Sequence, residues 1–227
     1  MKYANLTEEN KLWKKGYKHI ACLDEVGRGP LAGPVVAAAV TINSKFKKQN
    51  LKLQSKIKNL RDSKKLSAKQ REEFYKILTN HPLIKWGVGI VSEKIIDKIN
   101  IKNAAELAMM RALANLKTKS EKRKIDFLII DGNAISNSKL KSYNLKLIVR
   151  GDEKVFSCAL ASIVAKVTRD RLMMRYDKKY PQYRFDLHKG YPTKLHRSLL
   201  KKHGPCKIHR KSFYPVYTCK LKQYLLL

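Results

Sequence analysis

The sequence predicts an α/β fold in which one domain holds most of the chain. Short apolar runs typical of strands alternate with amphipathic helical segments, and neither internal repeats nor a linker separate them. A chain of 227 residues can bury one substantial core with a small appended part. We therefore expect a lead-in over residues 1–18, a main domain over 19–176 with a central sheet flanked by helices, and a helical C-terminal extension over 177–227.

The predicted elements follow from local patterns. The run at 35–42 is nearly all valine and alanine, which is typical of a strand buried on both faces. Ser67 and Gln70 form a capping box that begins a helix. The other predicted strands are 19–25, 86–91, 127–130 and 145–149, and the other predicted helices are 101–116, 155–175 and 193–203. Residues before 19 are expected to be mobile or helical.

The charge of the chain is strongly positive. Lysine and arginine number 50 against 18 acids, which leaves a formal net charge of +32. Such a charge predicts salt-sensitive, non-specific attraction to nucleic acid. The lysine-rich, acid-free segment at 45–58 is equally consistent with a solvated insert and with a DNA-contacting loop.

Several protein classes are disfavoured by composition. No apolar run approaches the ~18 residues of a membrane span, and residues 1–18 are too polar for a signal peptide. The four cysteines show no paired spacing that would predict a zinc site or a disulfide framework. We expect a cytoplasmic protein with reduced thiols and no membrane association.

Carboxylates follow three of the predicted strands. Strand ends in an α/β sheet are places where side chains from distant parts of the sequence converge. Clustered carboxylates repel one another unless cations are bound, and oxygen ligands without Cys or His favour Mg²⁺ or Mn²⁺. Two such ions can promote hydrolysis of a phosphodiester. The four acids are Asp24, Glu25, Asp131 and Asp152.

A turn that suits phosphate binding follows the first acids at once. Residues 27–29 read Gly-Arg-Gly, so backbone N–H groups lie beside an arginine. Taken alone, Asp131 could belong to a plain turn and Asp152 could cap a helix beginning at Lys154. The coincidence of four acids at strand ends with this turn instead favours an enzyme that cuts or joins nucleic acid.

Several long motifs resemble the ribonuclease HII family, and they occur in the family's order from Ile20 to about Val216. The motifs are Asp-Glu-Val-Gly-Arg-Gly-Pro-Leu-Ala-Gly-Pro-Val-Val at 24–36, Asp-Ser-Lys-Lys-Leu-Ser at 62–67, Ile-Asp-Gly-Asn at 130–133, Ala-Ser-Ile-Val-Ala-Lys-Val-Thr-Arg-Asp at 161–170, and His-Lys-Gly-Tyr-Pro-Thr at 188–193. The resemblance implies an RNase H-like fold and an endonuclease dependent on Mg²⁺ or Mn²⁺, with two ions expected. Its substrates would be RNA/DNA hybrids and duplex DNA with embedded single ribonucleotides. It would cut on the 5′ side of the ribonucleotide, leaving 3′-hydroxyl and 5′-phosphate ends, and so serve ribonucleotide and primer removal.

The resemblance also implies roles for particular residues. Asp24, Glu25, Asp131 and Asp152 would be the metal-binding quartet. Gly27, Arg28 and Gly29 would hold the ribonucleotide through backbone and 2′-hydroxyl contacts. Tyr191 would stack on the next sugar and Lys64 would contact phosphate, while the extension at 177–227 would complete the substrate site.

Other motif residues have structural interpretations of equal or greater weight. Ser162 and Lys166 suit packing at least as well as phosphate contact, and Asp170 is expected to pair with a nearby arginine. His188 and His209 suit loop or capping roles as well as substrate contact. Arg210 and Ser212 are expected to brace the C-terminal segment.

Two alternatives accompany this interpretation. Ribonuclease HIII has the same chemistry but carries an extra N-terminal domain and usually a lysine in the glycine turn, whereas this chain has Arg28. A basic nucleic-acid-binding protein without catalysis would explain the charge but not the four acids. A metal-dependent nick at an embedded ribonucleotide would separate enzyme from binder. We expect a monomer, and the chain shows no sliding-clamp-binding tail.

Overall fold

The computed structural model describes residues 4–46, 66–119 and 125–219, apart from the side chains of 117–119. Lys64, its Asp-Ser-Lys motif and all but the first two residues of the basic segment at 45–58 lie outside the described residues. Residues 220–227, on which the expectation about a clamp-binding tail also bears, lie outside them too.

The described strands are β1 (Ile20–Val26), β2 (Val35–Ile42), β3 (Ile84–Val91), β4 (Phe127–Asp131) and β5 (Leu145–Ile148). They form one mixed sheet in the order β3-β2-β1-β4-β5. Strands β1, β2 and β3 pair antiparallel, whereas β1, β4 and β5 pair parallel. The expectation of a central mixed sheet is therefore confirmed.

Helices cover both faces of the sheet. The predicted capping box is present at the start of the helix that begins at Ala68, since Gln70 N–H donates to Ser67 Oγ at 3.2 Å and Ser67 N–H donates to Gln70 Oε1 at 2.9 Å. In the described ranges, no helix combines the length and the apolar character needed to cross a bilayer. The helices are α1 (Thr7–Lys14), α2 (Ala68–Thr79), α3 (Glu93–Lys119), α4 (Ser138–Lys141), α5 (Gly151–Lys154), α6 (Phe156–Lys179), α7 (Phe185–His188) and α8 (Lys194–His203).

The core consists of two layers on either side of the sheet. One face packs against α3, whose small residues allow its backbone to lie very close to β3. A Cβ atom at Gly89 would collide with the carbonyl of Ala108, so glycine is required at this contact. The other face packs against α6 and α2. Alternating residues of β1 serve both layers: Leu23 faces α3 and Asp24 faces α6.

Helix α3 begins eight residues earlier than its apolar periodicity predicts. The backbone at Asn100 has φ 64° and ψ 166°, which interrupts the helix. The Asn100 side chain accepts the N–H of Asn103 at 3.0 Å and thereby caps the second half. The pattern from 101 onward therefore describes only that half, and the residues from Glu93 to Ile99 form a separate turn of helix before the kink.

The N-terminal lead-in is helical and docked. Helix α1 contributes Leu12 to a cluster with β1 and β4. Buried Glu9 accepts the N–H of Ser157 at 2.8 Å and its hydroxyl at 2.7 Å. Because these bonds satisfy the first turn of α6, the lead-in supports the helix that crosses the sheet behind the acids.

One expectation about the cysteines is wrong. The sulfur atoms of Cys22 on β1 and Cys158 on α6 lie at disulfide-bonding distance, with Cα atoms 5.2 Å apart. The two residues are 136 positions apart, so only the packing of α6 on β1 brings them together and no sequence spacing indicates it. Cys206 and Cys219 are free thiols.

Candidate active site

The predicted acids lie at the ends of neighbouring strands, on the same side of the sheet. Strands β1 and β4 are parallel neighbours with Leu23 opposite Ile130, which places Asp24 and Asp131 side by side on strands ~4.8 Å apart. Asp152 lies in α5, directly after β5, the next parallel strand. The parallel pairing of three strands thus collects carboxylates from distant parts of the chain.

Asp24 experiences the negative charge of the other three acids. Its side chain is buried, and burial is the main reason its pKa is raised well above the usual value. The charges of Glu25, Asp131 and Asp152 raise that pKa further, whereas a hydrogen bond from Ser162 on α6 lowers it. An ionised Asp24 in this position is therefore stabilised by added positive charge.

Glu25 shares this environment but has a cationic neighbour. Burial raises the pKa of Glu25, and Arg28 opposes the increase. The guanidinium of Arg28 lies 3.3 Å from the Glu25 carboxylate, with Arg28 itself largely exposed. Arg28, the middle residue of the turn, is thereby tied to the acid pair at the end of β1.

Asp131 connects β4 to the start of α5. Its carboxylate accepts the N–H of Gly151 at 2.9 Å and that of Asp152 at 3.4 Å. Asp131 therefore does more than complete a turn, because its carboxylate caps α5, the helix that follows the neighbouring strand β5. The alternative in which Asp152 caps a helix at Lys154 is wrong: α5 already begins at Gly151, and Asp152 is a buried residue within it.

The donor set suits a hard divalent cation, although the oxygens are not gathered around one point. Among the described residues, no group of three or more His, Cys, Asp or Glu side chains has the arrangement of a metal site. The four acids nevertheless supply only carboxylate oxygens, and two of them, Asp24 and Asp152, are buried. Buried like charges require neutralisation, and oxygen-only donors are those preferred by Mg²⁺ and Mn²⁺. The chemistry of the site therefore fits such an ion.

The glycine turn lies beside these acids, immediately after β1. Gly27 is buried with φ +96°, a conformation that favours glycine, and a Cβ atom there would collide with the guanidinium of Arg169. Arg28 and Gly29 are exposed. The turn thus presents its tip to solvent while its base is packed against a buried cation.

Tyr191 lies near the same turn. Its loop is joined to the turn by the N–H of Leu31, which donates to Gly190 O at 2.8 Å. The half-buried ring lies 5.5 Å from the guanidinium carbon of Arg169 and 5.9 Å from Lys166 Nζ. Lys166 is one helical turn beyond Ser162, the residue that donates to Asp24, which corresponds to ~6 Å along α6. The structure therefore places Tyr191, the turn and the acids along one face.

The sequence analysis did not predict that Arg169 and Arg210 belong to the site. Both side chains are fully buried, and Arg210 has a role beyond the expected bracing of the C-terminal segment, because its guanidinium donates to the carbonyls of the glycine turn. Arg169 has a recognisable signal: it occupies a buried stripe of α6 with Ala165 and Met173, where an apolar residue is the norm. Arg210 has no such local signal, since nothing in its neighbourhood indicates burial.

The other motif residues have structural partners. Asp170 pairs with Lys166 at 2.7 Å and lies 4.0 Å from Arg71, which agrees with the expected arginine partner. Ser212 braces the C-terminal segment as expected, because its N–H and hydroxyl donate to Asp97 at 2.9 and 2.6 Å.

Two of three buried histidines, His209 and His196, form a hydrogen-bonded relay whose tautomers are set by the backbone, and the third, His188, stacks on it. Cys206 N–H donates to His209 Nδ1 at 2.9 Å, so the His209 proton is on Nε2. That proton faces His196 Nε2 at 3.1 Å, which leaves His196 Nδ1–H to donate to Tyr191 O at 3.0 Å. His188 stacks on His196 with ring centroids 4.1 Å apart. Both His188 and His209 therefore support the Tyr191 loop in their neutral forms.

Acid is expected to destabilise the protein through this relay. Burial lowers the pKa of His209 to about 3 and that of His196 to about 4. The unfolded chain gains these protons below pH ~6.5 whereas the folded chain does not, so the free energy of unfolding falls as pH drops. For His209 the loss between pH 7 and pH 4 is on the order of 3 kcal/mol. Urea unfolding across this range checks it: His209→Gln should show a shallower pH dependence than the parent, and an equal slope in both would contradict the assignment.

The comparisons with known proteins agree on one family. The family model for Ribonuclease HII matches residues 21–216. The ribonuclease HII of Caldicellulosiruptor bescii is 45% identical over 205 residues, which are 90% of this chain and 91% of that protein. The crystal structure of ribonuclease H2 from Pyrococcus horikoshii OT3 shares 25% identity with a TM-score of 0.68, covering 89% of this chain and 97% of that one. Bst-RNase HIII, solved in complex with Mn²⁺, shares the fold at 15% identity with a TM-score of 0.62, over 91% of this chain and 70% of that one.

These similarities resolve the two alternatives. A non-catalytic binder is excluded, and the match to ribonuclease HII over most of the chain excludes ribonuclease HIII as the assignment. The RNase H-like fold is confirmed by the shared architecture. The chain belongs to the ribonuclease HII family and is a type 2 ribonuclease H, a metal-dependent endonuclease.

Proposed function

We propose that this enzyme recognises a single ribonucleotide embedded in duplex DNA and hydrolyses the phosphodiester on its 5′ side. The products are a 3′-hydroxyl and a 5′-phosphate. The family acts on the RNA strand of RNA/DNA hybrids, and the proposal narrows this activity to the junction between one ribonucleotide and the following DNA. The removal of misincorporated ribonucleotides and of primer RNA would follow from it.

One observation carries the proposal: three recognition elements share a face of the molecule. Four acids lie at the strand ends, where their like charges help to raise the pKa of Asp24. The exposed tip of the glycine turn follows the first two acids, and the Tyr191 ring packs against Arg169 of α6, the helix whose Ser162 donates to Asp24. A carboxylate cluster suits phosphodiester chemistry, backbone N–H groups suit a 2′-hydroxyl or phosphate oxygen, and an aromatic ring suits a sugar. Together these groups can test one nucleotide for ribose and the next for deoxyribose.

Asp24, Glu25, Asp131 and Asp152 are proposed to hold two divalent ions, Mg²⁺ or Mn²⁺. When bound, such ions lower the pKa of a water and neutralise charge that develops on the leaving oxygen. The chain's own groups orient the site: Ser162 fixes the Asp24 carboxylate, and the N–H groups of α5 fix that of Asp131. Both acids are thus held before any ion arrives, which reduces reorganisation on binding.

Residues 177–227 are proposed to complete the substrate site, as the division into a main domain and an extension implies. Tyr191, His209 and Arg210 all come from this part of the chain. They reach the glycine turn through Leu31 and the Gly27 carbonyl. The extension is therefore proposed to act together with the main domain in binding substrate.

A nick-position assay tests the proposal. Duplex DNA carrying one ribonucleotide is incubated with the enzyme and Mg²⁺ or Mn²⁺, with and without chelator, beside an all-DNA duplex and one with four ribonucleotides. We expect a single nick 5′ to the lone ribonucleotide, ending in a 3′-hydroxyl that a polymerase extends, and no nick with chelator or in all-DNA. Cleavage confined to the four-ribonucleotide duplex would contradict junction recognition, while leaving the hybrid activity of the family intact.

A further inference from the structure

Two guanidinium groups are buried directly beneath the glycine turn, and no carboxylate among the described residues pairs with them. Arg169 and Arg210 are each 0% exposed. Buried charges are normally paired with an opposite charge. In the described part of the chain neither arginine has an ion pair within bonding distance, and their hydrogen bonds go to backbone carbonyls.

The acceptors are concentrated in one segment. Arg210 donates to the carbonyl oxygens of Gly27 at 2.6 Å, Arg28 at 2.9 Å and Gly33 at 3.0 Å. Arg169 donates to those of Ala32 at 3.2 Å, Pro34 at 3.0 Å and Lys189 at 3.0 Å. Five of these six carbonyls belong to residues 27–34, and the sixth is two residues before Tyr191.

Peptide geometry gives these bonds a consequence for the N–H groups. In a planar trans peptide the C=O of one residue and the N–H of the next point in opposite directions. Since Arg210 holds the carbonyls of Gly27 and Arg28 inward, the N–H groups of Arg28 and Gly29 point outward. Among the described residues neither N–H has an acceptor, whereas those of Leu31 and Gly33 donate to Gly190 O and Ile208 O at 2.8 and 2.9 Å.

Arg210 is anchored on two sides. Its own N–H donates to Leu31 O at 2.8 Å, just after the turn. The next two residues are anchored on α3, where Asp97 accepts the N–H of Lys211 at 2.9 Å and both the N–H and hydroxyl of Ser212. Arg169 projects from α6, a different element. Two cations from different elements therefore hold the turn from below, and their positive charge favours an electron-rich oxygen at its tip.

We propose that Arg169 and Arg210 are positioning residues for substrate: by holding the turn's carbonyls they keep the N–H groups of Arg28 and Gly29 aimed at an oxygen of the ribonucleotide. This inference rests on the proposed function, because the oxygen is assigned to the ribose or its phosphate. The arginines do not touch substrate and act through the turn.

The test measures two dissociation constants in Ca²⁺, one for a duplex with one ribonucleotide and one for the same duplex in all-DNA form. The preference for the ribonucleotide is the ratio of the all-DNA constant to the ribonucleotide constant. In Arg210→Met the all-DNA value should stay close to that of the parent, while the preference for the ribonucleotide should fall about tenfold, as expected for the loss of one or two oriented hydrogen bonds. Cleavage should show a raised KM with a smaller change in kcat. Tyr183→Phe is the matched control, since it removes the bond from the Tyr183 hydroxyl to Gly204 O at 2.6 Å within the same extension and touches neither the turn nor the anchors of Arg210, so it should keep the preference.

A second variant decides the matter if Arg210→Met does not fold. Arg210→Lys keeps the charge but lacks the planar fork that reaches several carbonyls, so it should lose part of the preference, and the amide resonances of Arg28 and Gly29 should shift. A folded Arg210 variant with the full preference and unmoved resonances would overturn the inference. A parent enzyme that shows no preference for the ribonucleotide would instead refute the proposed function, so the two failures are distinguishable.

Discussion

Asp24→Asn is expected to reduce cleavage at an embedded ribonucleotide by roughly a thousandfold, the scale seen when a group that stabilises transition-state charge is removed. The amide has the shape of the carboxylate and can still accept the hydrogen bond from Ser162, so packing is preserved. What it loses is the negative charge that Glu25, Asp131 and Asp152 surround. Single-turnover cleavage measures the loss, and substrate binding should be unchanged or tighter because a repulsive charge has been removed.

Asp126→Asn is a suitable control. Asp126 lies at the opposite end of the sheet, where it accepts the N–H of Lys18 at 2.8 Å and that of His19 at 3.0 Å. The same chemical change there should leave the cleavage rate close to that of the parent. Full activity in Asp24→Asn would remove Asp24 from the proposed metal-binding quartet.

Asp24→Asn should also stabilise the metal-free protein. The pKa of Asp24 is raised in the folded state, so ionisation of this group lowers stability as pH rises above its unfolded value near 3.8. At neutral pH the neutral amide avoids that loss. We expect a higher melting temperature for Asp24→Asn than for the parent in chelator, and a smaller increase on adding Mn²⁺.

Tyr191→Ala is expected to reduce cleavage at a lone ribonucleotide by about ten- to a hundredfold, which corresponds to one aromatic stacking contact of ~1–3 kcal/mol. One side of the ring faces Arg169 at 5.5 Å, and the loop carbonyl is held by His196 at 3.0 Å. The ring is therefore supported by protein while remaining partly exposed. Affinity for all-DNA duplex should change little, because that affinity depends mainly on the net positive charge.

The matched variant is Tyr191→Phe, which keeps the stacking surface and should cleave at close to the parent rate. The measurement is the ratio of kcat/KM on one-ribonucleotide and four-ribonucleotide duplexes. A selective loss on the first substrate supports junction sensing. An equal loss on both would mean that Tyr191 only maintains the loop.

Local patterns predicted the elements whose stability is decided locally. The buried run of β2, the capping box of α2 and the last helix, α8, were all predicted correctly, since each depends on residues within a few positions. The same holds for the acids, because an apolar strand that ends in carboxylates is recognisable from the strand alone. The first part of helix α3, before the kink at Asn100, was missed: the Asn100 side chain caps only the part that follows, so the apolar period begins again at 101.

Long-range contacts could not be predicted from local sequence patterns. The pairing of Cys22 with Cys158, the burial of Arg210 and the histidine relay each join segments that are close only after the sheet has formed. No residue near Arg210 indicates that its guanidinium will be desolvated. A cation becomes tolerable there because the turn supplies several carbonyl oxygens at once, and that supply exists only in the folded chain.

The sequence by itself determined the α/β class, the acids at the strand ends, the Gly-Arg-Gly turn and the resemblance to ribonuclease HII. These are properties of contiguous residues. Only the tertiary structure decided that parallel pairing of β1, β4 and β5 sets the acids against one another, and that Arg169 and Arg210 orient the turn from beneath. The physical reason is that electrostatic coupling and burial depend on distance in space, which chain order does not specify.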